Sequence, residues 1–269
     1  MLKHLQEIPE FGKRIDFGRT ASDYGRFRAG YPDELYRRLE IFGAGVRGQR
    51  MLDVACGTGF LGRGFVRQGC AVTGADISFE LMRQAAQLDA EAGVEMRYLR
   101  AKAEALPFSD RVFDVVTVGQ AWHWFGRSRA AAEARRVLRA GGLLVIAHFD
   151  WIPIPGNVVE ATERLIEKHN PQWKLGGGLG IHPQWPRDAA IAGFGEIETF
   201  SFDVAVRYSH EAWRGRIRAS AGVAAALSAE RVANFDCELA ALLRERFPQE
   251  PMGVPHRTFA TVARSPRNF

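Results

Sequence analysis

Residues 51–59, Met51-Leu52-Asp53-Val54-Ala55-Cys56-Gly57-Thr58-Gly59, carry an apolar strand pattern to an acid and then into a glycine turn. A helix is expected to start just beyond. Glycine lets the backbone take positive φ and come within contact distance of a ligand, and the first N–H groups of a new helix present an unpaired polar rim. The stretch reads as a strand, a turn and a helix with a ligand site at the turn.

Two cofactor classes use such a turn. Gly57, Gly59 and Gly62 satisfy G-x-G-x-x-G, and Asp76 closes a second strand pattern about 20 residues on, as in a dinucleotide site. A dinucleotide turn sets a pyrophosphate on the helix N-terminus, and the strand before it is usually apolar up to the first glycine. Here Asp53 stands in the way. A carboxylate repels a pyrophosphate, whereas it attracts the ammonium of a methionyl group at short range. The acid favours S-adenosyl-L-methionine (SAM).

Further segments follow in a fixed order: Val72-Thr73-Gly74-Ala75-Asp76-Ile77-Ser78, Ala103-Glu104-Ala105-Leu106-Pro107-Phe108, Phe113-Asp114-Val115-Val116 and Val137-Leu138-Arg139-Ala140-Gly141-Gly142. With Leu52 to Gly59 they make five segments at the right spacing, and the chain resembles the class I SAM-dependent methyltransferases. The resemblance implies an α/β fold with a doubly wound, mostly parallel, seven-stranded Rossmann-like sheet and helical cap insertions. It also implies a methyltransferase with SAM as cofactor and S-adenosyl-L-homocysteine (SAH) as product.

The 269 residues suffice for one large domain or a domain with a cap. No run of about 18 uncharged apolar residues occurs, and charged residues stand where a signal peptide needs its apolar core. A cytoplasmic protein without a membrane segment is expected. Cys56, Cys70 and Cys237, three cysteines at wide spacing, suit neither a disulfide framework nor a zinc site. No metal is expected. The net charge of +5 raises a nucleic-acid partner, but the arginines are scattered. Arg135, Arg136 and Arg139, and Arg214, Arg216 and Arg218, read as solvated helix faces.

From 30 to 150 the pattern alternates between strand and helix. A helix starts at Pro32 with Leu35, Leu39 and Phe42 at helical spacing. Strands are expected at 50–55, 71–76, 95–100, 113–119 and 143–148. Ser78 is an N-cap and Gly93 a helix stop, and Gly141-Gly142 should end the helix before the fifth strand. Beyond 148, a helix at 157–170, a break at Gly176-Gly177-Gly178, a strand from Ile197 to Val206, an amphipathic helix around Val232 to Leu243 and a last strand from Arg257 to Arg264 are expected. One domain spans 1–269: an arm and first helix at 1–40, a SAM-binding core at 41–148, and cap helices with the last strands at 149–269.

Methyl transfer from a sulfonium is an in-line displacement, so the protein has to bind, align and exclude water. Asp76 should accept hydrogen bonds from the ribose hydroxyls. Asp53 should face the methionyl amino group, with Ala55, Gly57 and Gly59 giving close backbone approach. Ala55 stands where the family has its first glycine, a minor departure if the position needs only a β-region backbone. The resemblance further implies that Ile77 packs on the adenine and that Ala103 and Glu104 lie at its edge. Lys102 replaces an aspartate of many relatives, so adenine recognition there is open between Glu104 and none.

Gly119-Gln120-Ala121-Trp122-His123-Trp124-Phe125 ends the fourth strand, beside the transferred methyl in this fold. Gln120 is a cofactor-site candidate. His123 is a general-base candidate, weighed against packing. Trp122 and Trp124 stack on a substrate or belong to the core. The motif of base-amine methylation is absent here; Asn170-Pro171-Gln172-Trp173 reads as a loop, and nucleic acid is not expected as partner. Residues 17–32 resemble the arm of small-molecule enzymes similar to trans-aconitate and malonyl-carrier methyltransferases. That implies Tyr24 near the methionyl end and Arg28 on its carboxylate; Tyr31 joins His123 as a catalytic candidate. Arg207, Arg214 and Arg218 suggest a cationic acceptor pocket. The expected activity is methyl transfer to an O or N atom of a small molecule. The rivals are a SAM-binding sensor or scaffold without turnover, an RNA methyltransferase and a nicotinamide-dependent oxidoreductase.

Overall fold

The computed structural model describes residues 25–267. Their order is α1 (Asp33–Ile41), β1 (Arg50–Val54), α2 (Phe60–Arg67), β2 (Ala71–Asp76), α3 (Phe79–Ala92), β3 (Arg97–Arg100), β4 (Phe113–Gly119), a 3-10 turn (Trp122–Trp124), α4 (Arg127–Val137), β5 (Leu138–Trp151), α5 (Val158–His169), α6 (Gln184–Ile191), β6 (Gly195–Tyr208), α7 (His210–Arg218), α8 (Ala229–Arg246) and β7 (Met252–Arg264). The strands form one seven-stranded sheet in the order β3-β2-β1-β4-β5-β7-β6. All pairs from β3 to β5 are parallel; β7 is antiparallel to both of its neighbours.

The parallel half follows from apolar strand runs with helices on both faces. Met51, Leu52, Val115, Val116, Leu144, Val145 and Ile146 are all buried. One face carries Leu52, Val116 and Trp185; the other carries Met51, Phe65 and Val115 with Leu35 and Leu39 of α1. Ser78 caps α3 by accepting from the Leu81 amide at 3.3 Å, and Gly93 ends it in the left-handed region. The expected strands and helices recur here, the expected 95–100 strand shortened to 97–100 and the expected 143–148 strand extended to 138–151.

Gly141-Gly142 does not end the helix before β5. That helix, α4, stops at Val137 and the chain extends at once from Leu138. The glycines instead lie where the β4–β5 register jumps from Phe113↔Leu138 to Val115↔Leu143. At Gly141, with φ +74°, the amide turns to the carbonyls of Ser265 and Pro266. Positive φ is needed there to steer the strand.

The cap consists of α5 and α6 between β5 and β6, and α7 and α8 between β6 and β7. A separate apolar cluster holds α5, α7 and α8 together with Trp151, Trp213, Phe235 and Val254. Arg214 and Arg218 do not form a solvated face: both bond Asp236 of α8 and tie the two helices together. Arg216 is buried and pairs with Asp150 of β5. Arg136 also has bound partners, in Glu133, Asp110 and the carbonyls of Leu106 and Phe108. A helical position shows its spacing in sequence, which reaches Glu133 three residues before Arg136, whereas Asp236, Asp150, Asp110 and the two carbonyls lie on other segments.

Candidate functional site

At the carboxyl ends of β1 and β4 lies a cleft of about 410 Å³. Its walls include Arg28, Tyr31, Asp53, Gly57, Gln120 and Phe149. This is where a parallel α/β sheet places its ligands, outside the strand ends where the order reverses. The reversal here falls between β1 and β4.

Asp53 anchors the cleft from below. It lies opposite Thr117 in the β1–β4 register. The Thr117 hydroxyl donates to its Oδ1 at 2.8 Å, and the Gly62 amide donates to its Oδ2 at 3.1 Å. With 1% exposure, burial pushes the Asp53 carboxyl up to about 7, against these two hydrogen bonds that favour the ionised form. A Cβ on Gly62 would come 2.5 Å from Met96 and 3.1 Å from the Asp53 carboxylate. A side chain at that crossing of helix and strand would have to displace the Met96 methyl and crowd the carboxylate.

The turn is held from its far side. Asp76, at the end of β2, accepts from the Gly57 amide through Oδ2 and from the Ser78 amide through Oδ1, both at 2.8 Å. Burial raises its pKa from the usual carboxylate value. Arg63 of α2 bonds the Thr58 carbonyl at 2.9 Å and Asp89 of α3 at 2.8 Å, and Tyr98 of β3 closes the network on Asp89 at 2.6 Å. Four elements thus fix one turn.

Ala55 departs from the expected β-region backbone: its φ is +52°. The turn needs the left-handed region at that position, where a Cβ costs roughly 1–2 kcal/mol. Gly57 and Gly59 also have positive φ, so three positions of the turn lie in the left-handed region and one of them carries a Cβ. Gln120 is a second residue held in this region, at +65°; its amide side chain bonds the Phe149 carbonyl and its backbone N–H the Ala147 carbonyl.

Arg28, Tyr31, Asp53, Ala55, Gly57 and Gln120 share the cleft wall. Gly59 is the N-cap of α2. Tyr31 donates to the Ala147 carbonyl at 3.3 Å and packs on Phe149, 5.9 Å between rings. Ile77, beside Asp76, is 61% exposed. Ala103 is buried in the core, and Glu104 accepts from the Gly126 amide at 2.8 Å, next to the start of α4. Tyr24 and most of the expected arm lie outside the described residues.

His123 sits in the 3-10 turn after β4, its ring 4.5 Å from Trp124 and 6.0 Å from His148. Burial, with His182 next in effect, lowers its pKa to about 4. Trp122 belongs to the core and donates to Asp188 of α6 at 2.9 Å. Sequence reasoning missed Thr117 and Phe149. Thr117 left a signal, a lone hydroxyl in the apolar run Val115-Val116-Thr117-Val118; Phe149 left none. Among the described residues, no group of three His, Cys, Asp or Glu is placed to hold a metal, and no helix is long and apolar enough to cross a membrane.

Comparison with known proteins places this cleft in context. A family model described as "Methyltransferase domain" matches residues 52–146. A malonyl-[acyl-carrier protein] O-methyltransferase of Geobacter sulfurreducens is 34% identical over 203 residues, which cover 71% of this chain and 72% of that protein. An uncharacterized methyltransferase of Mycobacterium bovis is 36% identical over 130 residues, 48% of this chain and 50% of the relative; the match spans about half the length of such relatives. Among solved structures, a candidate type II methyltransferase from Anaeromyxobacter dehalogenans superposes with a TM-score of 0.65 at 24% identity, covering 90% of this chain and 98% of that one.

Proposed function

The chain belongs to the class I SAM-dependent methyltransferases, and from that premise we propose that it transfers the sulfonium methyl of SAM to an oxygen or nitrogen of a small-molecule acceptor. The observation that carries the proposal is the cleft itself, whose wall combines a buried carboxylate, Asp53, with a guanidinium, Arg28, at a strained glycine turn. That pair of charges fits the zwitterionic end of methionine, Asp53 toward the ammonium and Arg28 toward the carboxylate.

The other residues divide the remaining work. Asp76 accepts from the ribose hydroxyls on its free lone pairs while keeping Gly57 and Ser78. Ile77, exposed and apolar, packs on the adenine, with Ala103 and Glu104 at its edge. Gly57 and Gly59 let the backbone approach, and Gln120, locked to Phe149, faces the methionyl chain; Tyr24 would close over it. SAM supplies an activated methyl on a positively charged sulfur. The chain's part is alignment and exclusion of water. His123, with a pKa near 4, is a weak base and serves with Tyr31 to position the acceptor.

The name of the Geobacter relative supports oxygen as the accepting atom, and the four cap helices support a small acceptor over a long polynucleotide. We place the protein in the cytoplasm as one domain, in keeping with its free cysteines. Thermal stabilisation by SAM, SAH and NAD, followed by transfer of labelled methyl to an acceptor panel, tests the proposal. Protection by SAM and SAH with labelled product supports it. Protection by NAD alone, or SAM binding without product from any acceptor, overturns it.

A further inference from the structure

The turn between β4 and α4 contributes to the cofactor cleft from outside the glycine motif. Gln120 stands in the cleft wall with φ +65°, and after Ala121 the chain enters the 3-10 turn Trp122–Trp124. A residue with a Cβ stays in that backbone region only where its surroundings hold it. On the β5 side the hold is direct: the Gln120 side-chain amide bonds the Phe149 carbonyl, and its backbone N–H bonds the Ala147 carbonyl.

A second hold comes from the cap. Asp188 of α6 accepts from the Trp122 indole N–H at 2.9 Å, and the same oxygen, Oδ2, lies 3.5 Å from Nε of Arg127, the first residue of α4. One carboxylate therefore pins the stretch 122–127 at both of its ends. Trp122 is 1% exposed, and an indole has a single N–H that can only donate. With water shut out, Asp188 is the acceptor for that donor, and a buried donor left without one is costly. Without Asp188 the indole has to turn toward another acceptor and carry the 3-10 turn with it. Gln120, two residues upstream, is then held from the β5 side alone and relaxes toward ordinary φ, which moves the cleft wall.

The docking of α6 itself comes from apolar packing. Trp185 and Ala189 are wholly buried, and His182, just before the helix, stacks on Trp185 at 3.9 Å between ring centroids and meets His148 of β5 at 4.5 Å. Packing of that kind is not directional, whereas a hydrogen bond to a carboxylate fixes where the indole points. We infer that Asp188 is a positioning residue for the cofactor: through Trp122 it keeps Gln120 in place and so fixes the wall that faces the methionyl chain. The inference rests on the methyl-transfer reading, which supplies the ligand, and adds to it a cap residue that is not among the cleft walls.

The test is calorimetric binding of SAH, well below the melting temperature of each protein, to the native chain and four variants. Asp188→Leu keeps the volume and favours the helix but offers no acceptor, and should weaken SAH at least fivefold. Asp188→Asn keeps a carbonyl oxygen for the indole and should bind SAH at least threefold more tightly than Asp188→Leu. Trp122→Phe removes the donor and should also lose fivefold or more; it carries the test if Asp188→Leu does not fold. Ala189→Gly loosens the same helix without touching the bond, and should lower the melting temperature while SAH affinity stays within twofold. A loss smaller than fivefold on removing the acceptor or the donor overturns the inference. An Asp188→Asn variant no better than Asp188→Leu does the same, as does an Ala189→Gly variant that loses as much affinity. Failure of the native chain to bind SAH would strike the methyl-transfer reading and the inference with it, whereas native binding that the variants leave unmoved strikes the inference alone.

Discussion

The Asp76 carboxylate accepts a hydrogen bond from the Gly57 amide, 2.8 Å from N to Oδ2, so the end of β2 grips the turn that follows β1. One side chain thus shapes the backbone of the cofactor turn and, in the proposed function, also holds the ribose. Asp76→Ala should weaken SAH binding by about 1–3 kcal/mol, roughly 5- to 150-fold, because two N–H groups and the ribose hydroxyls lose their acceptor. Calorimetry reads this directly, and unchanged affinity would remove the ribose assignment.

Ala55 carries a Cβ at φ +52°. Ala55→Gly relieves the left-handed strain, partly offset by the entropy that glycine loses on folding. A net gain of about 0.5–1 kcal/mol in urea-unfolding stability is expected. Gly57→Ala, at φ +55° with nothing within 4 Å of the new Cβ, should lose about 1 kcal/mol from conformation alone. Opposite signs at the two positions are the result to look for.

Asp53 links pH to both stability and binding. Its carboxyl is raised to about 7 in the fold, so between pH 4 and 7 the folded chain holds a proton that the unfolded chain has released. The stability gained from this group is complete below about pH 4 and is lost as pH rises through about 7, at up to about 1.4 kcal/mol per pH unit. Asp53→Asn should therefore be more stable than the native chain at pH 8 and flatten this slope in a denaturation series. SAM affinity should show the reverse trend, rising as Asp53 ionises and staying flat in the variant. A native SAM affinity independent of pH from 6 to 8 would refute the ammonium contact.

His123, already neutral above about pH 5, should contribute no limb to the pH–rate profile near 6.5. His123→Phe keeps the ring packing against Trp124 and should retain turnover within about tenfold. Removing a general base typically costs 10²- to 10⁴-fold, and a loss of that size with SAM affinity intact would restore the base assignment.

Gly215 of α7 is where the cap touches the N-terminal segment: a Cβ there would come 2.3 Å from the Phe27 ring. Gly215→Ala must displace Phe27 or the helix, and Arg28 is the next residue. We expect a five- to tenfold weaker SAH affinity with little change in the melting temperature, since alanine also favours the helix by about 1 kcal/mol. Unaltered SAH affinity would show that Phe27 packing does not set the position of Arg28.

Much of this was legible in the sequence because local chemistry dictates it. An acid before a glycine turn, a serine before a helix and an acid closing the next strand each mark a turn or an element end that lies within a few residues of them. Thr117, Phe149 and Arg216 act across the sheet instead, through register and cap docking; Thr117 shows in the sequence only as a hydroxyl within an apolar run, and the other two leave no trace. Ala55 and Gly141 depart from the sequence expectation for a related reason: a required φ belongs to the path of the backbone, and residue type only hints at it.

The antiparallel β7 sits between β5 and β6 and is the partner through which β6 joins the sheet. During translation β6 emerges first and must wait while α7 and α8 are made, several seconds at roughly 5–20 residues per second. Over that interval fourteen residues of alternating strand have no ladder to join. A nascent chain stalled before Met252 would expose β6 and the sheet edge of β5 together, so this protein's most vulnerable moment on the ribosome comes after its cofactor turn has already been synthesised.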